Sequence, residues 1–320
     1  MSVSPWVWGL FGVLVLAMLV LDLGVVQRSR GEPREPTLRS TAIWSAAWIG
    51  LALAFGLVVL AVYGPAAALT YLTAYLLEKS LSVDNVFVFA LIFSELAIPL
   101  AYQRRVLLWG IIGALVFRAL LIAGGIYLLE RFHWVIYPFG ALIVLAAVRI
   151  LWGEKKEREI VAAACAACGS WVARIVPITP DMRGGSFVIR QGGKLVATPV
   201  LVALLVVETS DVVFALDSVP AVLAITREPF LVYTSNVFAI LGLRSLYFVL
   251  AGVIDRFRYV RAGLAAILVF VGARMLLTEV VDVPTLASLA VIVGVLGLSV
   301  GASLLMPDEL PQRRRGAAGR

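Results

Sequence analysis

Glu208, Asp211 and Asp217 stand close together in Val207-Glu208-Thr-Ser-Asp211-Val-Val-Phe-Ala-Leu-Asp217-Ser-Val-Pro220, a stretch whose flanks are apolar enough for a membrane-spanning helix. A second apolar stretch carries Glu78, Lys79, Asp84 and Asn85. A carboxylate near a bilayer centre costs roughly 2.5–3.5 kcal/mol on insertion scales, so acids at that depth face a polar cavity and bind or relay a cation. The donors gathered here, Glu78, Asp84, Asn85, Glu208, Thr209, Asp211, Asp217 and Ser218, are all oxygen, with no Cys or His at depth. Hard oxygen sites suit Mg, Ca or Mn, whereas Zn, Cu and Ni sites recruit imidazole or thiolate. An intramembrane hydrolase would need a buried nucleophile and base or a G-x-G-D motif, and neither is present, so the chain is not read as an enzyme.

Spacing adds to this. Glu208 and Asp211 are three residues apart and share a helix face, so one ion could touch both. Glu78 and Asp84, and likewise Asp211 and Asp217, are six apart, which places them about 120° around and about 9 Å along an ideal helix. Either the helices break there or the acids serve two depths of one path. Ser80-Leu-Ser82 and Asp217-Ser218-Val219-Pro220 predict breaks, because Pro removes a backbone donor and Ser competes for backbone bonds. Carbonyls freed at such breaks coordinate cations in transporters. The acids outnumber Lys79, Arg118 and Arg244, so an empty site requires protonated or paired carboxylates, and exchange of metal against protons follows as an expectation. The competing reading is structural ion pairing with Arg118 and Arg244; for Arg149 and Arg274, nearer span ends, pairing or snorkelling is expected.

The elements that must position these residues are helices in a bilayer. Of 320 residues 62% are hydrophobic and the mean hydropathy is +0.99, which describes an all-α, polytopic membrane protein. Apolar runs predict about nine transmembrane helices, near 6–23, 41–62, 66–95, 105–129, 134–152, 197–220, 230–254, 262–279 and 284–306. The first has no basic n-region or cleavage site and reads as a retained helix. The net charge of +7 sits in short loops between apolar runs, which excludes a nucleic-acid partner and makes the lipid bilayer the surroundings. Connections 1, 3, 5 and 7 and the C-terminus hold nearly all the loop Lys and Arg residues, so the positive-inside rule puts the N-terminus outside and the tail with Arg313, Arg314 and Arg315 in the cytoplasm. Trp6, Trp8, Trp44, Trp48, Trp109, Trp134 and Trp152 fall near span ends, as an interfacial belt does.

Connection 5, residues 153–196, is expected to be a solvated cytoplasmic linker. Its Cys165-Ala-Ala-Cys168 lacks companion ligands for a structural zinc site and reads as two ordinary thiols. His133, the single histidine, is expected at the interface. Asp22, at the end of the first span, either faces the ion path or sits at the interface.

An internal repeat flanks the linker. Ala141-Leu-Ile-Val-Leu-Ala-Ala-Val-Arg149 aligns without gaps to Ala266-Ile-Leu-Val-Phe-Val-Gly-Ala-Arg274, and Arg118 aligns to Arg244. Each unit, 66–152 and 197–279, holds three spans, so the second inserts upside down relative to the first. Two inverted three-helix repeats are the mark of alternating-access transporters. One register pairs Asp84 with Asp211; another pairs Glu78 with Asp211 and Asp84 with Asp217. Both remain open from sequence. Asp84 is expected toward the cytoplasmic side and Asp217 toward the outside, as two gates.

The stretches Tyr75-Leu-Leu-Glu78-Lys-Ser-Leu-Ser-Val-Asp84-Asn85-Val-Phe-Val-Phe89, Val207-Glu208-Thr-Ser-Asp211 through Asp217-Ser-Val-Pro220-Ala and Tyr233-Thr-Ser-Asn236 through Arg244-Ser-Leu-Tyr-Phe248 resemble the TerC/Alx family of integral membrane proteins, related to the lysine exporter group. The resemblance runs from about residue 8 to 305. It implies manganese export across the bacterial inner membrane, with an older association with tellurite resistance, and no permanently bound cofactor. Carried onto matching positions, the implied Mn²⁺ residues are Glu78, Asp84, Glu208, Asp211 and Asp217, with Asn85 beside them and Asp22, Arg118 and Arg244 as accessory candidates. Arg274 stands where relatives often have Lys. A non-transporting scaffold or sensor in a metal-stress or tellurite-stress complex is the alternative.

Overall fold

The computed structural model describes residues 3–27, 38–151, 153–250, 258–278, 280, 281 and 283–305; within these, the side chains of 22–27, 38, 154, 183 and 258 are not described. The elements in order are α1 (Pro5–Gln27), α2 (Leu38–Tyr63), α3 (Pro65–Glu95), α4 (Leu100–Arg131), α5 (Ile136–Leu151), α6 (Glu154–Ile175), the hairpin strands β1 (Val188–Gln191) and β2 (Lys194–Ala197), α7 (Pro199–Leu223), α8 (Pro229–Leu241), α9 (Leu243–Leu250), α10 (Arg258–Leu276) and α11 (Thr285–Leu305). Apart from that hairpin the described chain is helical.

Three helices that build the centre, α3, α7 and α8, open with Pro in the first turn, where the missing N–H would have no intrahelical partner anyway. Before α3 the chain turns through Gly64 at φ 85°, a conformation that costs glycine little. Among the described residues six helices are long and apolar enough to cross a membrane, α2, α4, α5, α7, α10 and α11, and the bent pair α8–α9 makes a seventh, against the nine expected. The described side chains of α1 form a shorter apolar helix, Pro5–Leu21, and α3 contains Glu78, Lys79 and Asp84, which lower its apolarity. Exposed Leu16, Leu57, Leu120, Leu145, Leu286 and Leu298 form the outer apolar surface of a lipid-embedded bundle.

The expected breaks near Ser80–Ser82 and Asp217–Pro220 do not occur: α3 and α7 are each continuous through their acidic motifs. Ser80 Oγ donates to the Leu76 carbonyl at 2.5 Å, a back-bond that lets serine stay in a helix. Pro220 lies in the last turn of α7, where its own carbonyl still accepts from Ala224 N at 2.9 Å. The break instead falls at Gly242, between α8 and α9, which bend by 42°. Lys79 Nζ from α3 donates to the Ala239 carbonyl at 3.2 Å, and Ser245 Oγ donates to that of Gly242 at 3.0 Å. Together they satisfy carbonyls at the break.

Residues 153–196 are more ordered than a solvated linker. α6 packs along α3 and α7, burying Val161 and Cys165 in an apolar cluster with Val88, Ile92 and Val206. The hairpin closes on Gly192 and Gly193, both at positive φ. Elsewhere α4 lies on α7, α3 lies on α8, and α5 forms the most extensive pairing, with α10. At that last crossing Gly140 and Gly272 face one another: a Cβ on Gly272 would lie 3.2 Å from the Gly140 carbonyl, and one on Gly140 would lie 3.4 Å from that of Gly272. Trp152, Arg274's neighbour Glu279 and the Arg-rich tail lie in or beside the segments outside the described residues.

Candidate cation site

Glu78 on α3, Arg118 on α4, Asp211 and Ser218 on α7 and Asn236 on α8 converge inside the bundle. Arg118 is 2% exposed, Glu78 1% and Asp211 3%. The guanidinium grips Asp211 with two bonds, Nε to Oδ2 at 3.3 Å and Nη2 to Oδ1 at 3.2 Å. Its Nη1 bonds Glu78 Oε1 and also donates to Ser218 Oγ at 3.2 Å. Ser218 Oγ donates to Glu78 Oε1 at 3.3 Å, and Asn236 Nδ2 donates to the same oxygen at 2.7 Å. The five residues come from four helices packed together, so the network forms because α4 lies on α7, α3 on α8 and α3 on α7. Glu78 Oε2 is buried and accepts no bond. Two carboxyl groups thus share one guanidinium.

A second group lies one and a half turns along. Asp84, Asn85, Asp217 and Ser218 line a small void of about 10 Å³ with Leu81, Arg149, Phe214 and Leu268. Arg149 Nη2 approaches Asp217 Oδ2 at 3.5 Å, and Arg261 Nε approaches Asp84 Oδ1 at 3.7 Å. Arg261 also bonds Glu157 of α6 through Nη2 at 2.5 Å and stacks over Phe87, 4.7 Å from the ring centroid. Asp84 and Arg149 are shared between this void and a larger cleft, about 220 Å³, that opens among α3, α6 and α7 and reaches Lys156, Glu157, Cys168 and Ser210. Asp84 thus belongs to both the cleft and the void, and Ser218 to both the void and the buried cluster.

The six metal-ligand candidates are thus distributed over three places. Glu78 and Asp211 meet at Arg118, and Asp84, Asn85 and Asp217 meet at the void. Glu208 is half-buried against α4, where any side chain at Gly113 would overlap its carboxylate. Among the described residues no three His, Cys, Asp or Glu side chains close on a point that would hold a metal ion. Of the accessory candidates Arg118 is central. Arg244 lines a void of about 10 Å³ on the far side of Asp211, with Gly110 and Leu243. The side chain of Asp22 lies outside the described residues. Sequence reasoning missed three participants, Asn236, Glu157 and Arg261. Asn236 had a signal, the polar run Thr234-Ser235-Asn236 inside an apolar span; Glu157 and Arg261 sit in charged connections and had none.

Cys165 and Cys168 are free thiols on α6. Burial, then the Glu95 carboxylate and Cys168, push the Cys165 thiol up to about 11, and burial raises Cys168 as well. Both thiols are protonated near neutrality.

These features define an all-helical integral, multi-pass membrane protein with a charged centre. The integral membrane protein TerC family matches over residues 63–309, and the chain belongs to that family. An uncharacterized membrane protein of Myxococcus xanthus, STKORF319, is 47% identical over 308 residues, covering 96% of this chain and 95% of its own. A candidate membrane-bound redox modulator of Escherichia coli K12, Alx, is 42% identical over 301 residues and 92% of each chain. A Rickettsia bellii membrane protein is 35% identical over 298 residues, 93% of this chain and 97% of its own. No solved structure matches the chain.

Proposed function

We propose that the protein transports a divalent cation across the bacterial inner membrane by alternating access, with Mn²⁺ efflux as the specific activity and protons as the exchanged ion. The observation that carries the reading is the fully buried meeting of Glu78 and Asp211 on a guanidinium, beside a void that shares Asp84 and Arg149 with a larger cleft. Buried acids of this kind, connected to a cavity, are what a cation path requires. Direction and ion identity come from the family resemblance. Two inverted repeats fit the packing: α3 lies on α8 as α7 lies on α4, while α3 with α7 and α5 with α10 pair across the relation. The register that pairs Glu78 with Asp211 and Asp84 with Asp217 fits best, since each pair meets at one place. In this reading the N-terminus lies outside and the tail inside.

The measurement is Mn²⁺ flux into or out of proteoliposomes for wild type and Asp211→Asn. Loss of flux in the variant supports the assignment; undiminished flux removes Asp211 from the path. The rival reading, a non-transporting scaffold or sensor in a metal-stress or tellurite-stress complex, draws on the closed state of the Arg118 network, which satisfies most of its own charges. Protein that binds Mn²⁺ but moves none favours it. A redox role, suggested by the name of the Escherichia coli relative, gains little from this chain: its only thiols are Cys165 and Cys168, and thiolate is the reactive form.

A further inference from the structure

We propose that Arg118 is a built-in counter-cation, holding the place of the transported ion between Glu78 and Asp211 and setting the site's preference for divalent over monovalent cations. This rests on the cation-transport reading above and names the residue that governs its selectivity.

Arg118 is among the largest fully buried side chains in the protein, and its guanidinium sits where a metal ion bridging the two carboxylates would sit. A purely structural pairing would use up the acceptors around it, yet Glu78 Oε2, on a side chain 1% exposed, is left without a partner. That oxygen is acceptor capacity the arginine does not consume. The charges point the same way. With Arg118 in place, the two carboxyl groups of Glu78 and Asp211 share a single positive charge. A monovalent ion exchanged for the guanidinium brings the same charge and forfeits the paired N–H bonds to Asp211, so it gains nothing. A divalent ion neutralises both carboxylates and can use the idle oxygen, so it alone has a reason to displace the arginine. The displaced group keeps a partner toward the outer acids: Nη1 already donates to Ser218 Oγ at 3.2 Å, and Ser218 lines a void together with Asp217 and Asn85.

The test is equilibrium binding of Mn²⁺ to the purified full chain in detergent, counting free Mn²⁺ by its electron paramagnetic resonance signal, at one mildly alkaline pH. Arg118→Gln removes the competitor and is expected to bind Mn²⁺ roughly tenfold or more tightly, the scale of a typical coupling between two ligands. Arg118→Lys, a cation without the paired fork, falls between. Excess Na⁺ displaces Mn²⁺ from Arg118→Gln and not from wild type. A merely structural arginine gives the opposite: weaker or unchanged Mn²⁺ binding in folded Arg118→Gln, with no sodium competition, and that result overturns the proposal. Should Arg118→Gln elute as aggregate, Arg118→Lys decides alone, tighter than wild type in support and equal or weaker against. If wild type and variants all fail to bind Mn²⁺, the cation reading fails, and this inference fails with it; tight wild-type binding that no Arg118 variant improves sinks this inference alone.

Discussion

Two acid pairs with the same spacing meet opposite fates in this bundle. Glu78 and Asp211 are locked to one arginine through several bonds, with every partner nearly inaccessible. Asp84 and Asp217 each face a separate arginine at a longer distance, 3.7 and 3.5 Å, beside a void that shares its walls with a cleft. Arg149 is 35% exposed at its side chain, whereas Arg118 is 2% exposed. The desolvation argument separates them. Charges taken fully out of water need all their bonds and lose heavily when one partner goes, while half-solvated charges lose little. Under the proposed transport function, the inner pair is suited to holding an ion and the outer pair to passing it on.

The sharpest way to break that contrast is to remove one arginine at a time. Arg118→Ala leaves two buried carboxylates uncompensated and is expected to destabilise the fold by about 3–5 kcal/mol, read as a shift of thermal unfolding in detergent. A shift no larger than that of the outer arginine would erase the distinction. Next in size is a packing test: Gly113→Leu pushes aside the Glu208 carboxylate, the mobile end of a flexible side chain, with an expected cost of at most about 1–3 kcal/mol and a clear loss of Mn²⁺ flux. Arg149→Ala, at the partly exposed Arg149–Asp217 contact, is expected to cost about 1 kcal/mol, less than Arg118→Ala, and its effect should show in flux and in salt dependence. The smallest effect concerns α6. With its thiol pushed up to about 11, Cys165 is mostly protonated near neutrality, so its alkylation rate should be far below that of a free cysteine and still climb as pH rises past 9. A rate already level by pH 8 contradicts the burial of Cys165 between α6 and the helices α3 and α7.

How far the sequence could reach is clearest at single residues. Burial of Glu78, Asp84 and Asp211 is legible, since an acid inside an apolar run is conspicuous by hydropathy alone, and the helical class follows from the same runs. Which acids meet was not legible. Spacing fixes neighbours along one helix, whereas the pairing of Glu78 with Asp211 depends on an arginine contributed by a third helix. The expected breaks failed because local composition was weighed without position: Pro220 falls in a last turn, and Ser80 found a backbone acceptor one turn back. The real break needed only Gly242, with Lys79 reaching across from α3 to hold it. α6 was passed over as linker although Glu154-Lys-Lys-Glu-Arg-Glu and the Ala-rich run after it favour helix by propensity, because a polar face and an apolar face were not separated there.

The glycine crossing of α5 and α10 has a mechanical meaning. With Gly140 and Gly272 facing each other backbone to backbone, no side chain separates the two helices at that point, and a Cβ on either would come within 2.8 Å of Leu276 or Val144. Such a joint tolerates rotation about the contact but resists sliding, because sliding would drive a neighbouring side chain into the opposite backbone. If the two halves of the protein rock against each other, this crossing is the axle on which they turn.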